Sequence, residues 1–465
     1  MSLPTLAGAL FAYAAWTVGS GLWERRQKKR TAEEATAPLS EGDGAGSHAA
    51  SVNPGQGSVN LMHLRFTEGV LMGIHGSWLP GRQQPDFRGA TAAERRGGAY
   101  SYYVPARLAE QDVGALLGRE LREEALEIAS LITATSAQVD EATRRGIYPL
   151  LLRSESIASS RIERVNASGR DVSYAQLGDQ QDHLRNHEAM SVARNVQATR
   201  DAIEELAGRD EWTIGDVEQV HRALGVVGAS EGLRRVDVWI GGRDKLRAEY
   251  VAPPPGEVPA LVEDFLQYLS SSGEHPLLLA AIGHLQFESI HPFEDGNGRA
   301  GRALIHAVLE RGGVVRSGLL PVSTAIRARE REYVQHLSAS RPDDPSEAAE
   351  ALNAWVRFFV EIAAEACERM QGVQDEIRAL DTLLAEKAAG LRADSSARRL
   401  LPVLMEQPVV TAKFIAEQLG VSAVAAHRAV DTLVTRGILT PGTGRYRRSE
   451  AFQADDVLRV IDGAS

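Results

Sequence analysis

The chain has 465 residues, of which 43% are hydrophobic and 24% are charged. This length is too great for one ordinary hydrophobic core, so two or three domains are expected. The net charge of -11 argues against a protein that binds polyanions over its whole surface. The single cysteine, Cys367, cannot form an internal disulfide and lies in an apolar run, which predicts a small core residue in a reducing cytosol.

The first 61 residues differ in composition from the rest of the chain. Leu3 to Trp23 is apolar, uncharged and long enough to cross a bilayer, and a basic run ending at Arg30 follows it. As a membrane anchor, this segment would leave the rest of the chain in the cytoplasm by the positive-inside rule. The competing interpretation is that residues 1–61 come from an upstream start codon and serve no folded purpose. Thr31 to Leu61 is rich in small and polar residues, which predicts disorder.

From residue 100 onward the composition is typical of helices. Val113 to Ser136 predicts one helix, and Tyr148 to Val165 predicts another. The second helix carries a polar stripe at helical spacing, formed by Ser156, Ser159, Ser160 and Glu163. From these residues alone, a solvated helix face is the ordinary interpretation of the stripe.

One pair of strands is predicted in the centre of the chain. Val236, Val238 and Ile240 alternate with polar residues or tryptophan, and a turn rich in charge begins at Gly241. A second strand-like run starts at Ala248. This pattern predicts a β-hairpin.

Residues 291–302, with the sequence HPFEDGNGRAGR, place unusual chemistry in one short segment. The preceding residues 274–290 predict a mostly buried helix with Pro276 at its first position. Residues 298–310 predict a second helix, stopped by Gly312. The polar residues therefore lie in a loop that opens a helix, where free backbone N–H groups and the helix dipole favour an anion.

The side chains of this loop indicate what the anion is. Arg299 and Arg302 are three residues apart, so both can grip neighbouring phosphates from one side of the first turn. Asp295 is placed to hold Mg²⁺, which takes one or two carboxylates together with phosphate oxygens. His291 can take a proton from an attacking hydroxyl. The residues alone thus predict a nucleotide-phosphate site with its own base.

Other interpretations of this region compete with that one. Gly296, Gly298 and Gly301 also fit a dinucleotide-binding fingerprint, but that motif follows a strand and here a helix precedes it. A structural metal on His284, Glu288 and His291 is the second alternative, although their spacing matches no standard zinc motif. A merely structural glycine-rich connector would not explain two arginines beside a histidine and an aspartate.

A charge-rich helical spacer, Gln374 to Arg392, leads into a different module. Residues 411–437 predict a helix, a tight turn and a helix, and residues 438–448 predict a β wing, a pattern that resembles a winged helix-turn-helix. Between Arg398 and Glu450 there are eight Lys or Arg and four Asp or Glu, a local charge of +4. The ligand of this module could be either DNA or a protein, and the sequence does not decide between them.

The loop at 291–302 resembles, position for position, the signature of the Fic (filamentation induced by cyclic AMP) domain. The resemblance implies transfer of AMP from ATP to a Ser, Thr or Tyr hydroxyl of a target protein. It implies that His291 is the base and Asp295 the Mg²⁺ ligand. It also implies that the phosphates are held by Gly296, Asn297, Gly298, Arg299 and Arg302. A kinase-like branch carries Lys where this chain has Gly298, which favours nucleotidyl transfer over phosphorylation.

The same resemblance gives roles to two other segments. Residues 159–163, SSRIE, look like the Ser/Thr-x-x-x-Glu inhibitory motif, whose glutamate pairs with the second arginine, here Arg302, and blocks seating of the ATP γ-phosphate. That pattern usually continues with Gly or Asn, and Arg164 departs from it. The predicted hairpin resembles the flap that clamps the target by strand addition, here through Val238, Trp239, Ile240 and Gly241.

The sequence therefore predicts a mainly α protein with a Fic helical bundle, a β-hairpin flap and a C-terminal winged helix-turn-helix. The predicted parts are an apolar and disordered segment (1–61), an N-terminal Fic-associated region (62–130), the Fic domain (131–372), a helical linker (373–394) and the winged helix (395–465). The favoured function is a cytoplasmic protein adenylyltransferase that Glu163 auto-inhibits. The alternatives are a DNA-binding regulator with a nucleotide-sensing bundle and an enzyme that removes AMP. A homodimer is left open, and membrane contact depends on Leu3 to Trp23.

Overall fold

The computed structural model describes residues 76–86, 91–137, 141–178, 186–226, 230–316, 319–442 and 450–464, all within the unit Gly69–Ser465. The predicted apolar segment Leu3 to Trp23 and residues 443–449 of the predicted wing lie outside these ranges. Within the described ranges, no helix is both long enough and apolar enough to cross a membrane.

The described chain begins with a β-hairpin that the sequence analysis did not predict. Strands β1 (Ser77–Gln83) and β2 (Gly98–Val104) pair antiparallel, and the short helix α1 (Ala92–Arg96) lies between them. The second strand reads GAYSYYV, and its aromatic residues favour a pleated, half-buried surface. The aromatic content is therefore the signal that could have indicated this strand.

Helices form most of the following chain. After a short 3₁₀ helix (Val113–Leu116) come five helices, namely α2 (Arg119–Ala137), α3 (Glu141–Ile162), α4 (Gly169–Gln176), α5 (His187–Leu206) and α6 (Ile214–Leu224). The predicted helix Tyr148 to Val165 corresponds to α3, but both predicted ends were wrong. Helix α3 ends at Ile162 because Arg164 adopts a left-handed conformation (φ 63°), which lets the amide of Val165 donate to the carbonyl of Ser160.

The flap and the two central helices follow. The flap strands β3 (Trp239–Ile240) and β4 (Tyr250–Val251) are shorter than predicted. Helix α8 (Pro276–Ile290) is apolar on every side and buried along almost its whole length, so it forms the centre of the bundle. The helices in this part of the chain are α7 (Val258–Ser271), α8 (Pro276–Ile290), α9 (Asn297–Arg311), α10 (Val322–Ala328) and α11 (Glu330–Ala339).

A single helix of 40 residues, α12 (Ala348–Lys387), runs through the predicted boundary between residues 372 and 373. A short 3₁₀ helix, Pro345–Glu347, precedes it. Most of the predicted linker therefore continues the last bundle helix. Cys367 lies buried on this helix, as predicted, and burial raises the pKa of its thiol to about 11.

The C-terminal elements are helices around a small antiparallel sheet. The helices are α13 (Ser396–Glu406), α14 (Ala412–Leu419), α15 (Ala423–Thr435) and α16 (Asp455–Ala464). The sheet has the order β5 (Val409–Val410), β7 (Phe452–Gln453), β6 (Thr440–Pro441). The tight turn between α14 and α15 uses Gly420 in the left-handed conformation (φ 64°). This order of elements agrees with the predicted helix-turn-helix, and the mainly α fold class is confirmed.

The C-terminal elements pack directly against α3 and α4. The buried Arg153 of α3 donates from Nη2 to the carbonyl of Glu406, at 2.7 Å. The side chain of Gln407 donates to the carbonyl of Ser173 in α4, also at 2.7 Å. The helix that carries Glu163 thus lies between the rest of the helical bundle and the C-terminal elements.

Candidate active site

The loop between α8 and α9 begins and ends at left-handed residues. His291 is the C-cap of α8, with φ 50° and ψ 61°, and its amide donates to the carbonyl of Phe287. Gly296 has φ 82° and precedes the first turn of α9. Left-handed conformations are costly for residues other than glycine and occur often at functional sites, so His291 is held by its surroundings.

Asn297 shapes this loop from within. Its Oδ1 accepts a hydrogen bond from the amide of Phe293 at 2.8 Å, and its Nδ2 donates to the carbonyl of the same residue at 2.9 Å. The side chain is buried. Asn297 therefore closes the loop that presents the amides, and its predicted contact with phosphate stays a prediction.

Two residues that the sequence analysis missed hold the loop in place. His221 of α6 stacks on Phe293 with ring centroids 3.8 Å apart, and its Nε2 lies 2.8 Å from the carbonyl of Asp295. Arg234 is buried and donates to four carbonyls, those of His291 (2.8 Å), Pro253 (2.6 Å), Val236 (3.1 Å) and Ile290 (3.3 Å). Arg234 thereby joins both arms of the flap to the backbone of the predicted base.

The environment keeps His291 neutral. Burial, together with the guanidinium groups of Arg234 and Arg341, lowers the pKa of its imidazole to about 4. At neutral pH the ring therefore carries a free lone pair, as a base requires. The same surroundings make it costly for the ring to hold a second proton.

The first turn of α9 combines an anion-binding backbone with two buried cations. Asp295 is exposed beside this turn, and its Oδ1 accepts from the amide of Gly296 at 2.6 Å. Arg299 and Arg302 are both buried. Arg299 reaches Ser191 at 3.3 Å, while its Nε has no hydrogen-bond partner in the described part of the chain. Buried guanidinium donors at a helix N-terminus suit phosphate oxygens.

Glu163 pairs with Arg302, as the sequence analysis predicted. Its Oε1 lies 2.9 Å from Nη2 of Arg302, which also donates to the carbonyl of Ser159. Nε of the same arginine donates to Oγ of Ser159. Burial alone would lower the pKa of Arg302, but the Glu163 carboxylate raises it above its ordinary value. The solvated-face interpretation of the serine stripe was wrong, because Ser156, Ser159 and Ser160 are all buried.

Gly298 shows where the Glu163 carboxylate lies. A Cβ atom added at Gly298 would be 2.0 Å from Oε1 of Glu163 and 2.8 Å from Nη1 of Arg302. The carboxylate therefore rests against the first turn of α9, in the space where an anion would meet that turn. An anionic side chain and a phosphate cannot both occupy this space.

Arg164 does not divert the charge of Glu163. Its guanidinium is exposed and lies 3.5 Å from Glu330 at the start of α11. The preference of the inhibitory motif for Gly or Asn at this position has a backbone reason, since both tolerate the left-handed conformation that Arg164 adopts here.

The flap is a short antiparallel hairpin formed by β3 and β4. Trp239 pairs with Val251 and Ile240 with Tyr250, and the carbonyl of Val238 accepts from Ala252. Gly241 and its neighbour both have positive φ and form the turn. The Tyr250 hydroxyl donates to the carbonyl of Ser289 in α8, which fixes the flap to the bundle. Val236 and Ile240 are 52% and 45% exposed, so the flap presents apolar side chains outward.

The predicted alternative of a structural metal is not supported. Among the described residues, no three His, Cys, Asp or Glu side chains are arranged to hold a metal ion. His284 instead pairs through Nε2 with the hydroxyl of Tyr333 at 2.8 Å. Burial lowers the pKa of His284 to about 3, which is consistent with a neutral core histidine.

Two of the cations counted in the C-terminal module make internal contacts. Arg399 donates to the carbonyl of Leu419, and Arg436 donates to the carbonyls of Lys387 and Ala389. Three others, Arg445, Arg447 and Arg448, lie outside the described residues. The predicted DNA contact thus depends mainly on cations other than Arg399 and Arg436.

The fold and the site define a helical bundle with an anion-binding loop and a neutral histidine base. Residues 211–309 match the model of the Fic/DOC family. Glu163 and the C-terminal elements lie outside the matched residues.

Comparisons with known proteins give the same family name. The chain is 40% identical over 134 residues to "Protein adenylyltransferase Fic" of Drosophila ananassae, which covers 28% of this chain and 24% of that protein. It is 32% identical over 163 residues to the protein of the same name in Aedes aegypti, covering 34% and 28%. The chain thus spans about a quarter of the length of these curated relatives.

Solved structures of Fic proteins are similar to this one at low sequence identity. A Fic family protein from Desulfovibrio desulfuricans G20 has a TM-score of 0.43 and 23% identity, covering 72% of this chain and 94% of that one. Fic-1 from C. elegans has a TM-score of 0.43 and 20% identity, covering 54% and 73%.

Proposed function

We propose that this chain transfers AMP from ATP to a hydroxyl side chain of a target protein. The observation that carries the proposal is the juxtaposition of a neutral His291 with a helix N-terminus and two buried arginines in one loop. The name shared by the curated relatives supports the same activity. The exposed flap edge supports a polypeptide as the acceptor, because a strand that lacks a neighbour can pair with an extended segment.

The reaction follows the general logic of phosphoryl transfer, in which positioning and charge neutralisation do most of the work. Nε2 of His291 takes the proton from the target hydroxyl as its oxygen bonds to the α-phosphorus of ATP. The bond from that phosphorus to pyrophosphate breaks, and pyrophosphate leaves. The amides at Gly296 to Gly298, together with Arg299 and Arg302, hold the negative charge of the phosphates.

Mg²⁺ fits the donor chemistry beside this loop. Asp295 offers a hard oxygen ligand, is exposed and lies next to the phosphate-binding turn. We propose that Asp295 holds the ion, which when bound neutralises phosphate charge. The carboxylate also accepts from the amide of Gly296, so its orientation is fixed by the loop.

Replacement of the base tests the proposal. In the full-length His291→Ala protein we expect AMP transfer to fall by about two to four orders of magnitude while ATP binding is retained, because the imidazole acts on the acceptor hydroxyl. The measurement is incorporation of label from α-labelled ATP into cell lysate proteins or the enzyme itself, with ATP affinity measured in parallel. Undiminished labelling by the variant would rule out the mechanism.

We also propose that the C-terminal module contacts DNA, supported by its local charge of +4 and by the α14–turn–α15 arrangement. Binding of a duplex to the full-length chain should weaken steeply with salt, since phosphate contacts release counterions. Changing Arg445, Arg447 and Arg448 together to Ala should reduce it, and His291→Ala should not. If the full-length chain does not bind duplex DNA at low salt, a protein is the better candidate for the ligand of this module.

A further inference from the structure

A buried carboxylate with an unused oxygen lies beside the proposed base. Glu288 precedes His291 by one turn of α8 and is 7% exposed. Its Oε1 has no hydrogen-bond partner among the described residues, and neither has Nδ1 of His291. The other oxygen, Oε2, lies 3.9 Å from that Nδ1. The backbone carbonyl of Glu288 also acts on the imidazole and favours a proton on it. Unsatisfied polar atoms in a buried site call for a functional reason.

We propose that Glu288 is a positioning residue for the base. Its carboxylate accepts a hydrogen bond from Nδ1–H of His291 when the target segment is bound, which leaves the lone pair on Nε2. It also stabilises the imidazolium that forms when Nε2 takes the proton of the target hydroxyl. This inference rests on the proposed AMP transfer and assigns a role that none of the loop residues at 291–302 fills.

The geometry supports such a contact. A separation of 3.9 Å is too long for a hydrogen bond, and a movement of about 1 Å would bring it into range. Catalytic hydrogen bonds are often long before the substrate binds and shorten in the complex. A carboxylate at Nδ1 fixes the tautomer of a histidine and favours its protonated form. Both effects are needed here, because burial and two arginines disfavour a proton on His291.

The surroundings of Glu288 set the pH at which this role is available. The charged and titratable groups around it are Arg302, Arg341, Glu163, Tyr250, Tyr333 and His284. Burial raises the pKa of the Glu288 carboxyl to about 7, with Arg302 and Arg341 lowering it and Glu163 raising it. The ionised form is the stronger acceptor for Nδ1–H and is the form that stabilises an imidazolium, so turnover should rise with pH as Glu288 ionises. The pKa of His291, about 4, is too low to produce that limb.

The test compares Glu163→Gly with the double variant Glu163→Gly, Glu288→Gln, both full length and both saturated with ATP. We expect the Glu288→Gln change to lower kcat by about two orders of magnitude and to leave KM for ATP unchanged. It should also abolish the acidic limb, which lies at a lower pH in this background than in the unmodified protein, because Glu163 no longer raises the pKa of Glu288. Folding should not suffer, because the folded state binds the Glu288 proton more tightly and loses stability as pH rises through about 7. Unchanged kcat, or a limb that persists in the Gln variant, would overturn the inference.

A matched control and a second measurement separate a specific effect of Glu288 on His291 from a general effect of altering a buried polar side chain. Gln286→Ala alters another buried polar side chain of α8, which donates to the carbonyl of Ala106, and should not change the pH profile. Nitrogen NMR of labelled histidine should show His291 protonated at Nδ1 at pH 8, and this preference should be lost in Glu288→Ala. The absence of labelling by the Glu163→Gly parent would count against AMP transfer itself, whereas the NMR result does not depend on activity.

Discussion

Glu163 occupies a small volume at the first turn of α9, where the proposed function places the phosphates of ATP. The side chain of Arg302 is 3% exposed and that of Glu163 is 30% exposed, so the pair is neither a surface ion pair nor a fully dry one. Its contribution to global stability is expected to be small, since the cost of removing both charges from water offsets much of their attraction. Its effect on phosphate seating is direct, because it fills the site.

The first residue-scale prediction is that Glu163→Gly raises AMP transfer clearly and shifts the melting temperature little. Labelling assays and thermal denaturation of the same preparations measure the two effects. Arg302→Ala should not reproduce the activation, because it also removes a contact to phosphate. Equal activity of the Glu163→Gly and unmodified proteins would place regulation elsewhere. Loss of AMP removal from a modified target would identify Glu163 as a residue of the reverse reaction.

The second residue-scale prediction concerns Arg164, the strained residue that follows Glu163. Arg164→Gly should increase the free energy of unfolding by about 1 kcal/mol, because glycine adopts φ near 60° without the Cβ penalty. It should also lower basal AMP transfer, since a better helix cap holds Glu163 more firmly. Arg164→Ala is the control, because it removes the contact with Glu330 but keeps the strain. A gain in stability from Ala equal to that from Gly would contradict the explanation.

At the scale of elements, the loop at 291–302 is held in place by α6, α8, α9 and the flap. Arg234 and His221 act on backbone carbonyls 57 and 74 residues away in sequence. The motif itself was predictable because its residues are contiguous and each has a chemical reason to be there. Arg234 and His221 have no such local pattern, because only the folded chain brings them to the loop.

Other elements show the same limit of local patterns. A stripe of serines looks the same in the sequence whether it faces water or a buried arginine. Its partner Arg302 lies 143 residues away from Ser159 along the chain. The helix end at Ile162 depends on a left-handed arginine, which composition does not indicate. Periodicity did predict α8 and α9, because both combine a long apolar pattern with clear start and stop residues.

The element-scale prediction is that Arg234→Lys reduces AMP transfer by about 10- to 100-fold, since small displacements of a base have effects of this order. Lysine keeps the charge but cannot replace the four carbonyl contacts of the guanidinium, so about 1–3 kcal/mol of stability should also be lost. Single-turnover labelling and denaturant unfolding measure both quantities. Arg235→Lys changes the exposed neighbour and should alter neither. Full activity of Arg234→Lys would show that the flap and loop need no such connection.

At the scale of the whole unit, α16 holds the segment that follows the inhibitory glutamate. Asp462 accepts a hydrogen bond from the amide of Gly169 at 2.8 Å, at the start of α4. The side chain of Ile461 lies against the same glycine, where an added Cβ atom would be 2.8 Å from its Cγ2. The C-terminal helix thereby contacts the chain six residues after Glu163.

The whole-molecule prediction is that Asp462→Ala raises basal AMP transfer several-fold while costing about 1 kcal/mol of stability, the usual effect of losing a helix cap. Asp456→Ala is the matched control on the same helix, because Asp456 pairs with Lys387 of α12 at 2.7 Å. The control should lose stability without gaining activity. Equal activation by both variants would attribute the effect to general loosening.

The position of α3 and α4 between the catalytic bundle and α16 also has a consequence for ligands. A partner that binds the C-terminal elements more tightly when α16 is detached from Gly169 would favour release of Glu163, and so would favour ATP. Thermodynamic reciprocity then requires ATP to increase the affinity for that partner by the same factor. The affinity of the C-terminal module for its ligand would then depend on the ATP concentration.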